Sequence, residues 1–357
     1  MKINKIIFLS IFFFGLSFAQ IESKLFLERA FITDIKQDDN HLFISTYGQG
    51  IYQYSLEEGI WKNFSTKTGV FDTDLFHCVA SSKDFIWGGS NEGLYTYNKK
   101  TKNWSIKKFS EGGEFGNWIR ALHYDKKRNL LWIGRFRNIT LYDVKENSYK
   151  EFNRVIDNND KTNNINCISA DGDSVLWFGA EFGLHKLVLD SKKQFNNWTY
   201  LNNKGRAFLG EGEMVSVSDI LPLKNSVWFA TEEFITKENP KYNVGGIFIN
   251  DRRFLWEKIS KDDGLPANGI YTLARIGNYI IAGIYEFNPA KKAEFGKGLA
   301  LINITSKKVL QVDLNQFEIK SSEIRTIHFD KNFLWLGTGS GLVRIKVSNA
   351  LAKWGVR

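Results

Sequence analysis

The chain has 357 residues, 43% of them hydrophobic and 24% charged, with a formal net charge of +9. This is ample apolar material for a large core, and two cysteines are too few for a disulfide-stapled scaffold. Lysines and arginines are scattered among acids instead of gathered in runs, so the positive charge reads as a solubilising surface and not as a nucleic-acid footprint.

At the start, Lys2 and Lys5 precede an apolar run from Ile6 to Phe18, and Ser17-Phe18-Ala19 places small residues before Gln20. That order predicts a secretory signal peptide over residues 1–19, cleaved after Ala19. The run is too short to cross a bilayer, and no later stretch approaches the roughly 20 apolar residues of a membrane span. No cysteine stands at the cleavage point, so no lipid anchor is expected there. Residues 20–357 should form a periplasmic or secreted protein whose charge drops to +7 once Lys2 and Lys5 leave.

From His41 onward one pattern recurs. It reads "HLFISTYGQGIYQY" from His41, "FIWGGSNEGLYTY" from Phe85, "LLWIGRFRNITLYD" from Leu130 and "VLWFGAEFGLHKL" from Val175. "SVWFATEE" from Ser226 resumes at "GGIFI" from Gly245, "YIIAGIYE" from Tyr279 resumes at "GKGLALI" from Gly296, and "FLWLGTGSGLVRI" from Phe333 is the seventh copy. Phe43, Trp87, Trp132, Trp177 and Trp228 follow one another at 44, 45, 45 and 51 residues. A period of about 40–50 residues with several short strands per unit is the mark of a propeller blade. The predicted fold is all-β, a single seven-bladed β-propeller of four-stranded antiparallel blades over residues 20–357.

Each unit parses alike. An apolar segment such as Ile119 to Leu122 makes the innermost strand and the aromatic-glycine segment the second. A turn at Gly50, Gly93, Gly183, Gly246, Gly298 or Gly341 leads to the third, and Trp61, Trp104, Tyr149, Trp198 or Trp256 opens the fourth. Ten of the eleven tryptophans fall on this grid and are expected to fill the wedges between blades, Trp354 among them on a fourth strand. Trp118 falls off the grid. Blades three and seven are near copies, which makes His123 and His328 repeat residues and not metal ligands. The ring is expected to close by a strand around Lys24 to Leu27 pairing into the last blade, with Trp354 supplying that blade's outer strand as the alternative.

The recurring "LWIG…GL" element, "DGLPANGIYTL" from Asp263 and the weaker "TGVFDTDLF" from Thr68 resemble the two-component-regulator propeller repeats of the periplasmic sensor halves of hybrid histidine kinases. The resemblance implies a propeller suited to recognising an extracellular or periplasmic ligand, often a glycan fragment in such sensors. The expectation here is a stand-alone secreted propeller, without a kinase.

Aligned innermost strands put Thr33, His77, Arg120, Asn166, Ser218, Tyr271 and Arg325 near one end of the channel, where propeller loops present ligand contacts. The two guanidiniums are suited to holding a carboxylate or sulfate, and Trp118 to stacking on a sugar face. Insertions at 231–244 and 285–295, with a long lead-in at 203–214, are expected to crowd the mouth beside blades five and six. Glu233 and Tyr285 on those insertions complete the candidate ligand-binding set of Trp118, Arg120, Tyr271, Arg325, His77 and Asn166. Glu232, Glu233, Glu286 and Glu294 look mobile and unpartnered, which leaves no catalytic residue to name. "SADGDSVLW" from Ser169 is similar to the aspartate box of sialidases but misplaces its glycine, and Asp157 to Asp160 lacks the alternating ligands of a calcium loop.

The expected function is non-catalytic binding of a glycan or other small extracellular ligand at the channel mouth, with no cofactor, no metal, no nucleic acid and no membrane span, by a monomer or weak dimer. An envelope protein-protein scaffold is the first alternative. A polysaccharide or other lyase on the propeller fold is the second.

Overall fold

In the computed structural model, residues 23–111, 115–190, 194–315 and 317–355 are described. The expected signal peptide lies outside them.

Short β-rich segments punctuated by glycine and asparagine turns give seven four-stranded antiparallel sheets. Counted along the chain, blades one to seven have inner strands Ile32–Asp38, Phe76–Ser81, Ile119–Asp125, Ile165–Asp171, Val217–Pro222, Gly269–Ile276 and Ile324–Phe329. Buried side chains gather in seven apolar clusters, and each cluster takes its members from two neighbouring blades. Trp87, Trp132, Trp228 and Trp335 on second strands are fully buried there. The rings fill the wedge that opens as sheets radiate from an axis, a volume that aliphatic chains alone would leave underpacked.

Blade seven borrows its outer strand. Ser23–Phe26 pairs antiparallel with Gly341–Lys346, Ser23 lying opposite Ile345 and Phe26 opposite Leu342. The Leu25 N–H donates to the Glu318 carboxylate at 3.1 Å, and the Glu318 N–H donates to Ser23 Oγ at 3.1 Å. The N-terminal clasp is therefore how the ring closes. Trp354 is not on a strand: the chain turns into the helix Val347–Lys353, and the indole caps it, buried against Phe317.

The turns from second to third strands need a left-handed residue. Gly50 has φ +75°, and a Cβ there would sit 2.1 Å from the Phe64 carbonyl oxygen. Blade three has no glycine at this place, and there Arg137 takes the strain at φ +94°.

The expected insertion loops are in part strands, with 235–242 and 289–292 as the connections. In blade five Val227–Phe234 pairs with Asn243–Asn250, and in blade six Tyr279–Asn288 pairs with Ala293–Asn303. The two lengthened hairpins lean together through Phe234 and Phe287, 4.8 Å between ring centres. The lead-in at 203–214 folds into two short 3-10 turns whose Phe208 is fully buried against Trp256. All three are braced structure that walls one side of the mouth.

Candidate ligand-binding site at the channel mouth

Every inner strand is interrupted by a β-bulge at the same place. The ladder slips between Ile32 and Asp34, Phe76 and Cys78, Ile119 and Ala121, Ile165 and Cys167, Val217 and Asp219, Ile270 and Thr272, and Ile324 and Thr326. The residues skipped are Thr33, His77, Arg120, Asn166, Ser218, Tyr271 and Arg325, the seven that repeat alignment brings together. A bulged residue leaves the ladder and re-aims its side chain. All seven line one axial cavity of about 480 Å³.

Three of them tie blades together. Thr33 Oγ1 bonds to the Phe76 carbonyl at 2.9 Å, Ser218 Oγ to the Ile270 carbonyl at 2.6 Å, and Asn166 Nδ2 to the Val217 carbonyl at 3.2 Å.

Both arginines expected from sequence to hold a carboxylate or sulfate are paired with glutamates. Arg120 Nη1 donates to Glu181 at 2.5 Å, and Glu181 also accepts from Asn164. Arg325 Nε donates to Glu323 at 2.8 Å, its Nη2 lies 3.3 Å from Glu294, and its guanidinium is sandwiched between the rings of Phe31 and Tyr271, 4.5 Å from each. Glu232 also faces the cavity, so around it Glu181, Glu232, Glu294 and Glu323 outnumber Arg120 and Arg325. An incoming carboxylate or sulfate would have to displace these ion pairs and meet the surplus carboxylates.

Nor are the acids unpartnered. Glu232 accepts the Ser216 hydroxyl at 2.6 Å, Glu233 accepts the Phe287 N–H at 2.9 Å, and Glu286 pairs with Lys297 at 2.6 Å. Burial raises the carboxyls of Glu233 and Glu294 above the usual range. Tyr285 is almost wholly buried beneath Tyr271, with which it stacks at 4.3 Å, and its hydroxyl bonds to the Glu233 backbone. Tyr285 and Glu233 thus brace the wall, and Tyr285 also lines the cavity. Tyr271 lines the cavity too, its phenol held protonated by burial and by the nearby Glu294.

Trp118 does have a repeat position. It stands two residues before the bulged Arg120, as Phe31, Leu75, Asn164, Ser216, Gly269 and Glu323 stand before theirs. In five blades a residue at or just past the mouth end of the second strand donates its N–H to this position: Tyr47 to Phe31, Phe136 to Trp118, Glu181 to Asn164, Glu232 to Ser216 and Gly339 to Glu323. The mouth is therefore built of concentric rings, one residue per blade in each. Sequence reading found only the innermost.

At Trp118 the rings meet. Its indole stacks on Phe136 at 5.4 Å, lies 5.3 Å from Phe115, and donates Nε1–H to His77 Nε2 at 2.6 Å. Burial, with Arg120 nearby, lowers the His77 imidazole to about 4. It is neutral at pH 7, as an accepting Nε2 requires. Tyr47, half exposed, lies 5.6 Å from the other side of this pair. Together they form part of a groove of about 920 Å³ over blades one to three, whose polar lining includes Asn91, Glu92, Lys108 and Asn117. This groove thus lies opposite the blade-five and blade-six hairpins. Among the described residues no three His, Cys, Asp or Glu side chains gather into a metal site.

These features define a class, the seven-bladed β-propeller with bulged inner strands and a polar, aromatic-flanked mouth. No protein-family model matches the chain, and no curated protein does. Among solved structures it is similar to the extracellular domain of BT4673 from B. thetaiotaomicron, described once as a one component and once as a hybrid two component system. The TM-score is 0.66 for both, at 16% and 17% identity, over 91% of this chain. The chain spans only 40% and 39% of those two chains. The protein U3-55K matches with a TM-score of 0.62 at 12% identity over 91% of this chain and 98% of its own. At such identities the likeness establishes the propeller fold, and it agrees with the sensor-propeller resemblance at that level. No helix of the described residues is long and apolar enough to cross a membrane.

Proposed function

We propose that this propeller acts outside the cytoplasm as a ligand-binding module, and that it takes a neutral or amine-bearing glycan in the groove over blades one to three. The observation that carries the reading is the groove itself. Tyr47, Phe115 and Trp118 offer ring faces and edges beside the amides of Asn91 and Asn117 and the carboxylate of Glu92, the mixture that hydroxyl-rich, half-apolar sugar rings require. The carboxylate surplus at the mouth disfavours uronates and sulfated sugars. Export by the segment ending at Ala19 is part of this reading, and so is the sensor-like role named for the neighbouring extracellular domains.

The test is an oligosaccharide array followed by calorimetry on each hit, with the Tyr47→Ala and Trp118→Ala variants. Binding of neutral or amino sugars, weakened about tenfold or more in both variants, is expected. Hits confined to acidic glycans, or affinities that neither variant changes, would overturn it. Export is checked separately by the N-terminus of the protein recovered outside the cytoplasm, expected at Gln20.

A further inference from the structure

At the opposite end of the propeller, the third and fourth strands of blade five are joined by the turn 251–255, Asp-Arg-Arg-Phe-Leu. Phe254 is 92% exposed and Leu255 68%, the two largest exposures of any apolar side chain of that size among the described residues. A single exposed apolar residue is ordinary. This turn also carries a bidentate ion pair to the neighbouring blade.

The Asp251 carboxylate accepts the N–H groups of Arg253 and Leu255 at 2.9 and 3.1 Å, and Asn250 accepts that of Arg252 and donates to the Leu255 carbonyl. Arg252 sits in the left-handed region at φ +68°. Its guanidinium reaches back to both oxygens of Asp171 in blade four, at 2.6 and 2.9 Å, and to the Leu223 carbonyl in the neighbouring turn. Side-chain bonds from two blades therefore fix a strained turn whose product is a phenylalanine held in water. Support of this kind lowers the ordering cost of a contact.

The surroundings indicate what the tip meets. Arg253, Lys224 and Lys308 are exposed, and none has an ion-pair partner among the described residues. Lysines and arginines also outnumber acids over the turns of this end, from Lys83 and Lys100 through Lys126 and Lys127 to Lys331. An aromatic-aliphatic tip ringed by free cations matches an interface with apolar depth and negative charge at its surface. Soluble polyanions and nucleic acid supply the charge without the depth, whereas an anionic lipid bilayer supplies both.

We propose that this end of the propeller docks on anionic membrane surfaces, with Phe254 and Leu255 inserted at the headgroup level and the surrounding lysines and arginines on lipid phosphates. The inference is independent of the glycan reading. It would place the channel mouth facing away from the bilayer.

The test is co-flotation of the full chain with phosphatidylcholine vesicles, alone or mixed with phosphatidylglycerol, for the native protein, the Phe254→Ser/Leu255→Ser double variant and Arg253→Glu. Unchanged melting of both variants confirms that the exposed tip leaves the fold intact. Flotation only with the mixed vesicles is expected, reduced about tenfold or more in the double variant, reduced in Arg253→Glu, and weakened by salt. No flotation of the native protein, or flotation that the double variant retains, would overturn the proposal. So would sedimentation showing a dimer that the double variant abolishes, since a second copy would then be the occupant.

Discussion

Replacing Asp219 by alanine removes a staple between blades five and six. Asp219 follows the bulge of its inner strand, and its carboxylate accepts the Ile220 N–H at 2.8 Å and, from the next blade, the Leu273 N–H at 2.8 Å and the Thr272 hydroxyl at 3.0 Å. A hydrogen bond to a charged group contributes about 1.5–3 kcal/mol. Two of them cross the blade boundary, and the channel can admit water after truncation, so a loss of about 3 kcal/mol is expected. Asp34 is an internal control, the same position in blade one. It accepts the Ile35 N–H at 2.9 Å and the Val79 N–H at 3.1 Å, has no hydroxyl partner, and faces a Lys36 whose side chain is 47% exposed. Asp34→Ala should therefore cost about half as much, about 1.5 kcal/mol. Urea unfolding of both variants, read at constant m, measures the difference. An Asp219→Ala cost below about 1 kcal/mol, or equal costs for the two, would refute the staple.

Acid should destabilise the fold through its histidines. His185 is fully buried with its Nε2 2.6 Å from the Thr162 carbonyl, and burial lowers it to about 4. The unfolded chain then binds more protons than the native one between pH 6.5 and 4, so stability falls as pH drops through that window, by about 3 kcal/mol at its lower end for this residue. His185→Gln should flatten the curve of unfolding free energy against pH, and an unchanged slope would contradict the assignment. Trp335→Ala empties a fully buried site and leaves Asp330 without its indole partner, so it should cost about 3–5 kcal/mol in the same urea assay. Gly50→Ala should lower the melting temperature more than Gly172→Ala. Both have positive φ, but only at Gly50 does the added carbon meet backbone. Cys78 is buried and Cys167 half-buried, both are unpaired, and burial raises their thiols well above the usual range, so thiol reagents should label them far more slowly in the native protein than after unfolding.

The blades and the inner ring were legible because they repeat. Seven copies of one pattern fix the strands, and aligning them finds the bulged residue even though nothing in a single copy announces a bulge. The hairpins of blades five and six were misread because an insertion without turn chemistry every few residues was taken for loop. The alternation from Tyr285 to Phe287 is a strand signal that length obscured. The pairing of Arg120 with Glu181 was hidden by distance, since the carboxylate lies on the next blade and 61 residues away. Its repeat position, just after a second strand, still places it at the mouth. Glu323, two residues before Arg325, carried a local signal that was available and unused. Trp118 looked exceptional because its ring position is filled by a different residue type in each blade, so that position shows in the backbone bonds and not in the spelling.

The N-terminal clasp has a kinetic consequence. Leu25 and Glu318 are 293 residues apart and the pairing of Ser23–Phe26 with Gly341–Lys346 is more distant still, so a strand that precedes all seven blades is seated last. Closing so long a loop is slow, and until it happens Gly341–Lys346 presents an open edge to any passing strand. The earlier blades can pack pairwise beforehand, since each wedge needs only two neighbours. Folding should therefore show a late phase set by ring closure, during which the protein is most exposed to self-association. A bulky group attached near Ser23 would prolong that phase far more than one attached beyond the C-terminal helix.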